Sequence, residues 1–184
     1  LCMRWIEQMG VERAETACQT VSAIPALTLR VNRQKVTRDG LLEQLRAAGI
    51  ASRSTTVSPV GVVLEEGRAV PTIPGFHDGL FYVEDEAAQL VPLLLDPQPD
   101  ERILDACAAP GGKATHLADL MSNRGQIVAM DRHAVRLQVV KENCQRLGTT
   151  IIDPVVGDAR ELGTFASPQG GDPKVPQLGV FDRI

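Results

Sequence analysis

The 184-residue sequence predicts an α/β protein: the opening half of a parallel sheet with its helices, preceded by a small α+β domain. Three observations carry that prediction. Residues 103–113, Ile-Leu-Asp-Ala-Cys-Ala-Ala-Pro-Gly-Gly-Lys, run from an apolar strand into small residues, a Pro-Gly-Gly corner and then a helical pattern. Two more apolar strands follow at helix-length spacing, one ending at Asp131 and one running from Ile151 to Val156 ahead of Gly157-Asp158. Upstream, residues 26–64 read strand, helix, strand, strand, the order of a small α+β unit. The expected division is 1–79 and 80–184.

Residues 1–21 have helical spacing. Trp5, Ile6, Met9, Ala14, Ala17, Cys18 and Val21 mark one stripe, expected to be core, and Gly10 separates two helices. Pro25 ends this segment and 26–31 is the first strand. Thr37 and Asp39 offer caps to a helix with Leu41, Leu42, Leu45 and Ala48 on one face, closed by Gly49. Residues 52–57 and 60–64 suit short strands. Residues 71–79 form a turn-rich connector, 80–83 suits local pairing, and 84–95 is helical, with Pro92 expected to kink or shorten it.

The stop Asp96-Pro-Gln-Pro-Asp100 precedes the first strand of the parallel sheet. Helices are expected over 113–121 and 133–147, the second with Leu137, Val140, Cys144 and Leu147 on one face and Gly148 at its end. Pro154 lies within the third strand, which is tolerable only where that strand is locally an edge. Residues 166–179 are rich in Pro and Gly and predict a mobile loop.

The corner carries the chemistry. Two adjacent glycines let a ligand lie against the main chain, and a helix starting near Gly112 offers N–H groups to an anion. A phosphate-binding P-loop is excluded, because Cys107 stands where its first Gly belongs and Ala114 follows Lys113 in place of Ser or Thr. In doubly wound folds the acid after the second strand accepts hydrogen bonds from ribose hydroxyls, which assigns that part to Asp131. Asp158 stands at the end of the third strand, on the same rim. Strand, corner, helix, strand, acid thus describes a nucleoside site with an anion-binding end.

Net charge is −4, so the whole molecule offers no electrostatic argument for nucleic acid. Locally, Arg30, Arg33, Lys35, Arg38, Arg46 and Arg53 face only Asp39 and Glu43, a positive stretch suited to phosphates. Aromatic residues make up 3% of the chain, so phosphate and shape contacts are expected rather than base stacking. Cys2, Cys18, Cys107 and Cys144 lack metal-site spacing and read as reduced thiols of a cytoplasmic protein. His77, His116 and His133 read as loop or helix-surface residues, so no metal is expected. No apolar run reaches bilayer length, so no membrane partner is expected, and a monomer is the default.

The string Asp105-Ala-Cys-Ala-Ala-Pro-Gly-Gly-Lys113 resembles motif I of the S-adenosylmethionine-dependent RNA cytosine-5 methyltransferases, most of all the bacterial Sun/Fmu (RsmB-type) ribosomal RNA enzymes. The likeness extends through Val83-Glu-Asp-Glu-Ala-Ala-Gln89, Val128-Ala-Met-Asp131, Gly157-Asp-Ala-Arg160 and, upstream, Leu27-Thr-Leu-Arg-Val-Asn32. It implies a Rossmann-like methyltransferase sheet beginning in the order 3-2-1-4, after a small RNA-binding domain. It further implies S-adenosyl-L-methionine as cofactor. Cys107, Ala108, Ala109, Pro110, Gly111, Gly112 and Lys113 would wrap its methionine end and ribose, Asp131 would hold the ribose hydroxyls and Asp158 the adenine edge. RNA would meet Arg30, Arg33, Lys35 and Arg38.

In that family strand four ends in Asp-Ala-Pro-Cys, and a later Thr-Cys pair supplies the nucleophile. Residues 180–184 match the first half of strand four, and neither catalytic Cys stands among the 184 residues. The resemblance therefore implies an internal fragment with no catalytic residue of its own, its nucleophile beyond Ile184, able to bind cofactor but not to methylate. Small-subunit ribosomal RNA is the expected substrate. A transfer RNA enzyme and a non-catalytic RNA-binding or adenosyl-sensing module are the alternatives.

Overall fold

The computed structural model describes residues 2–23, 25–161 and 180–184; the loop expected at 166–179 lies outside them. Two helices open the chain, α1 (Cys2–Met9) and α2 (Val11–Ser22), separated at Gly10, whose φ of 82° suits a residue without a Cβ. Their apolar stripe is not core. Only Ala14 is buried, while Met9 is 39% and Val21 is 71% exposed. The two helices pack chiefly on each other, so Trp5, Ile6, Ala17 and Cys18 are half-buried while Met9 and Val21 stay open.

The first sheet contains β1 (Thr28–Val31), β2 (Ser52–Ser54), β3 (Gly61–Leu64) and β4 (Phe81–Val83) in the antiparallel order β2-β3-β1-β4. Because β4 pairs with β1, this sheet extends past the expected division at 79/80. Helix α3 (Arg38–Ala47) lies against it. The Thr37 side chain caps that helix by accepting from the Gly40 N–H, and Gly49 follows its end at φ 72°. Leu29, Leu41, Leu45, Leu64, Ile73 and Phe81 form the core beneath, fully enclosed. Each contributes about 1.5–3 kcal/mol by leaving water.

Helix α4 (Glu86–Leu95) continues for three residues past Pro92 and ends at Asp96, whose N–H donates to the Pro92 carbonyl. The parallel sheet follows: β5 (Arg102–Asp105), β6 (Gln126–Asp131) and β7 (Ile152–Val156), joined through α5 (Gly112–Leu120) and α6 (Ala134–Leu147). Ile103, Ile127 and Ala129 face α5 and α6, whereas Leu104, Val128 and Met130 enter a second cluster. Burial on both faces explains the unbroken apolar runs. Arg183 bridges Ile103 in parallel on the open side of β5, which completes the order 3-2-1-4. Pro154 sits in β7, the edge strand, opposite Ala129.

The two sheets meet along a polar seam. Asn32 Nδ2 donates to the carbonyls of Gly79 and Leu147, both at 2.9 Å. Arg33 pairs with Asp119 at 3.3 Å, and Lys35 Nζ donates to the carbonyls of Asp78 and Arg146. Arg30, expected on an RNA-binding face, is 2% exposed. Its guanidinium donates to Glu84 Oε2 at 2.8 Å, Gly112 O at 2.5 Å and Thr115 Oγ1 at 2.9 Å. Arg30 is therefore withdrawn from RNA contact, because Glu84 and the first turn of α5 enclose its guanidinium. His116 is corrected likewise. It is fully buried in α5 rather than on a helix surface.

Candidate functional site

The carboxyl ends of β5, β6 and β7 share one rim, and the loops leaving them build the site. At the end of β5 the chain turns through residues 106–111 into α5. The Ala108 N–H donates to the Met130 carbonyl, and the Gly111 N–H to Ala108 O. Gly111 has φ 107°, a left-handed conformation closed to most L-residues. A Cβ at Gly112 would come within 2.7 Å of Glu84 Oε1, so a larger residue there would have to displace that carboxylate.

A cleft of about 430 Å³ opens on this rim, lined among others by Cys107, Asp131, Arg136, Gly157 and Asp158. The structure thus brings both rim acids and the start of the corner together. Asp131 is buried. Its Oδ1 accepts from the His133 N–H at 2.9 Å, and Oδ2 faces Arg136 at 3.3 Å. Arg136 also donates to the Ala109 carbonyl at 3.0 Å and so ties the acid to the corner. Asp158 is paired with Arg160, which holds its carboxyl well below the usual carboxylate range.

Ala108 and Ala109 pack their side chains into the core under α5 and α6, so only main chain at those positions is available to a ligand. Lys113 is exposed and lines a second, apolar hollow of about 370 Å³ with Leu94, Leu95, Leu104, Asp105 and Ile184. The two hollows meet at Ala106, which lines both.

Sequence reasoning missed Asp105 and Arg136. Asp105 is buried, and its Oδ1 accepts from the Cys107 N–H at 3.3 Å. Its Oδ2 has no partner among the described residues. Burial pushes its pKa up, offset in part by the amides of Cys107 and Ala114 and by Lys113. Asp105 thus occupies part of the helix end assigned from sequence to a ligand carboxylate, and it offers a free acceptor. An acid that ends a strand directly before a glycine corner was the available signal. For Arg136 the signal was an arginine in the first turn of the helix after a rim acid, where the helix dipole disfavours a cation unless a carboxylate faces it.

The arrangement fits a nucleoside joined to an amino-acid end. Two carboxylates suit ribose hydroxyls and a base edge, while the orphaned Asp105 oxygen and the helix amides suit an ammonium and a carboxylate. Fold and rim together define the Rossmann-like methyltransferase class. Residues 92–184 match the family model for the 16S rRNA methyltransferase RsmB/F, and 1–71 match that of the RsmF/B-like ferredoxin-like domain. The chain belongs to the RsmB/F family of 16S rRNA methyltransferases.

It is 41% identical, over its whole length, to the probable ribosomal RNA small subunit methyltransferase B of Bacillus subtilis, covering 39% of that protein. It is 42% identical over 88% of its length to ribosomal RNA small subunit methyltransferase B of Pseudomonas syringae pv. tomato, covering 37% of it. The chain therefore spans about two fifths of these curated relatives. A solved methyltransferase homologue from Pyrococcus horikoshii superposes with a TM-score of 0.78 at 30% identity, over 87% of this chain and 52% of that one. NSun6 from the same organism, solved with SFG, shares the fold at a TM-score of 0.82 and 20% identity, over 89% of this chain and 66% of that one. No described helix is long and apolar enough to cross a membrane.

Proposed function

We propose that the chain is the cofactor-binding portion of an S-adenosylmethionine-dependent methyltransferase acting on carbon 5 of a cytosine in small-subunit ribosomal RNA. The observation that carries this is the rim cleft shared by Cys107, Asp131 and Asp158 beside the Gly111-Gly112 corner. Asp131 accepts from the ribose hydroxyls, Asp158 holds the adenine edge, and the amides of the corner receive the methionine carboxylate with Lys113 nearby. Asp105 Oδ2 takes the methionine ammonium. When bound, the donor supplies a sulfonium methyl group.

The residues here align rather than react. Holding two partners in attack geometry contributes roughly 7–11 kcal/mol in favourable cases. Carbon 5 of cytosine becomes nucleophilic after a thiolate adds at carbon 6. Cys144 is unsuited to that task, because burial pushes its thiol up to about 11. Cys107 lines the donor cleft, and α1 and α2 carry Cys2 and Cys18. As the family resemblance implies, the attacking thiol is assigned to a part of the full-length enzyme outside these 184 residues, which are proposed to bind donor without transferring methyl.

Residues 1–79 are proposed to position RNA and 80–184 to bind donor. Arg38 remains a proposed RNA contact, and Lys35, whose Nζ donates to the carbonyls of Asp78 and Arg146, and Arg33, half-exposed but paired with Asp119, are weaker ones. The enzyme is taken to work as a cytoplasmic monomer. Digestion of small-subunit RNA after transfer of labelled methyl by the full-length enzyme tests the reading. Label in 5-methylcytidine is expected; label confined to any other nucleoside overturns the cytosine-5 assignment.

A further inference from the structure

The seam meets the corner at one point. Thr115 Oγ1 accepts from Arg30 Nη2 at 2.9 Å and donates to the Gly111 carbonyl at 2.7 Å. Arg30 Nη1 donates directly to the Gly112 carbonyl at 2.5 Å and is held there by Glu84. The Arg30 guanidinium also lies 5.3 Å from the centre of the Tyr82 ring. The Gly112 carbonyl is thus gripped directly, and the Gly111 carbonyl through Thr115 of α5, by an arginine on a strand that belongs to the other sheet.

The peptide unit is planar and trans, so fixing a carbonyl on one side fixes the N–H on the other. Anchoring Gly111 O orients the Gly112 amide, and anchoring Gly112 O orients the Lys113 amide. These are first-turn amides of α5, which lack carbonyl partners within their own helix.

The brace is costly as a device for stability alone. It buries a guanidinium with its Nε unpartnered, near a helix N-terminus that repels cations. Well-packed apolar residues in place of a buried ion pair are often as stable or more so. What they lack is a directional grip on a carbonyl.

We infer that Arg30, acting with Glu84 and through Thr115, is a positioning residue that orients the Gly112 and Lys113 amides for the amino-acid end of the methyl donor. The inference rests on the donor reading above and names a part of the first sheet that serves that site.

Calorimetry with two ligands tests it. S-adenosylhomocysteine carries the amino-acid end and adenosine lacks it. Thr115→Val should bind S-adenosylhomocysteine about tenfold more weakly, the scale of one oriented hydrogen bond to a charged group, and adenosine within about twofold of wild type. Thr115→Ser, which keeps the hydroxyl, should restore both affinities. If Thr115→Val does not fold, Arg30→Lys carries the same test. It keeps the charge, loses the fork, and should show the same selective loss. Unchanged S-adenosylhomocysteine affinity in the folded variant, or equal losses for both ligands, overturns the inference. A wild-type chain that binds neither ligand removes the donor reading itself, and this inference with it.

Discussion

Arginine–carboxylate pairs stand both in the seam and on the rim of this molecule. In the seam, Arg30 and Glu84 are both nearly sealed from solvent, and Arg30 Nη1 and Nη2 are spent on Glu84, the Gly112 carbonyl and Thr115, with only Nε left unpartnered among the described residues. On the rim, Asp131 is buried but Arg136 is half-exposed, and Asp158 faces an exposed Arg160. The same chemical pair fixes the architecture in one place and lines an open cleft in the other. The difference lies in the water left around it. Where water is gone, losing one partner strands a charge; where water remains, a ligand can share the carboxylate.

The largest effect is expected in the seam. Arg30→Met leaves Glu84 buried and unpaired, and urea denaturation should show a loss of about 3–5 kcal/mol. The double variant Arg30→Met/Glu84→Leu should recover most of that loss. A single variant as stable as the double would erase the distinction between seam and rim.

On the rim, Asp131→Ala should cost about 1.5–3 kcal/mol in S-adenosylhomocysteine binding, the range for hydrogen bonds to charged groups. Its denaturation midpoint should move less than that of Arg30→Met. Equal affinity for variant and wild type would remove Asp131 from the site. Asp158→Ala should weaken binding too, by less than Asp131→Ala, since its carboxylate is already held by Arg160.

Acid should act through the seam side of α5. Burial, reinforced by the charges of Arg30 and Arg33, holds the His116 pKa down at about 2. The unfolded chain takes up that proton near pH 6.5, so protons favour unfolding at every pH between those two values. This one group costs roughly 1.4 kcal/mol of stability for each pH unit below about 6.5. His116→Leu should flatten the profile between pH 6.5 and 4.5 by one proton; an unaltered slope would show that the imidazole is solvated. The smallest effect belongs to the exposed Arg124–Asp100 pair, where Arg124→Ala should leave the denaturation midpoint unmoved.

The parallel sheet was legible because its signals are local. Ile103-Leu104 and Ile127 to Met130 read as doubly buried strands, and Gly111 and Gly148 mark the ends of helices by conformations their neighbours cannot adopt. Asp131 and Asp158 were legible for the same reason, since strand ends in register share a rim. Arg30 was not. In sequence it is a cation among other cations, and its partners lie 54, 82 and 85 residues away. The default reading of an arginine is solvation, which only tertiary contact overrides. The stripe on α1 and α2 misled in the opposite sense, because periodicity specifies a face to be covered and not what covers it.

Pro154 has a further consequence. An edge strand offers unpaired amides on which another polypeptide can template, the first step toward aggregation. At Pro154 that row has no N–H, so the outer margin of β7 is a poor acceptor of a foreign strand. The sheet formed by the described residues is thereby guarded against fibril-like self-association on the flank farthest from Arg183.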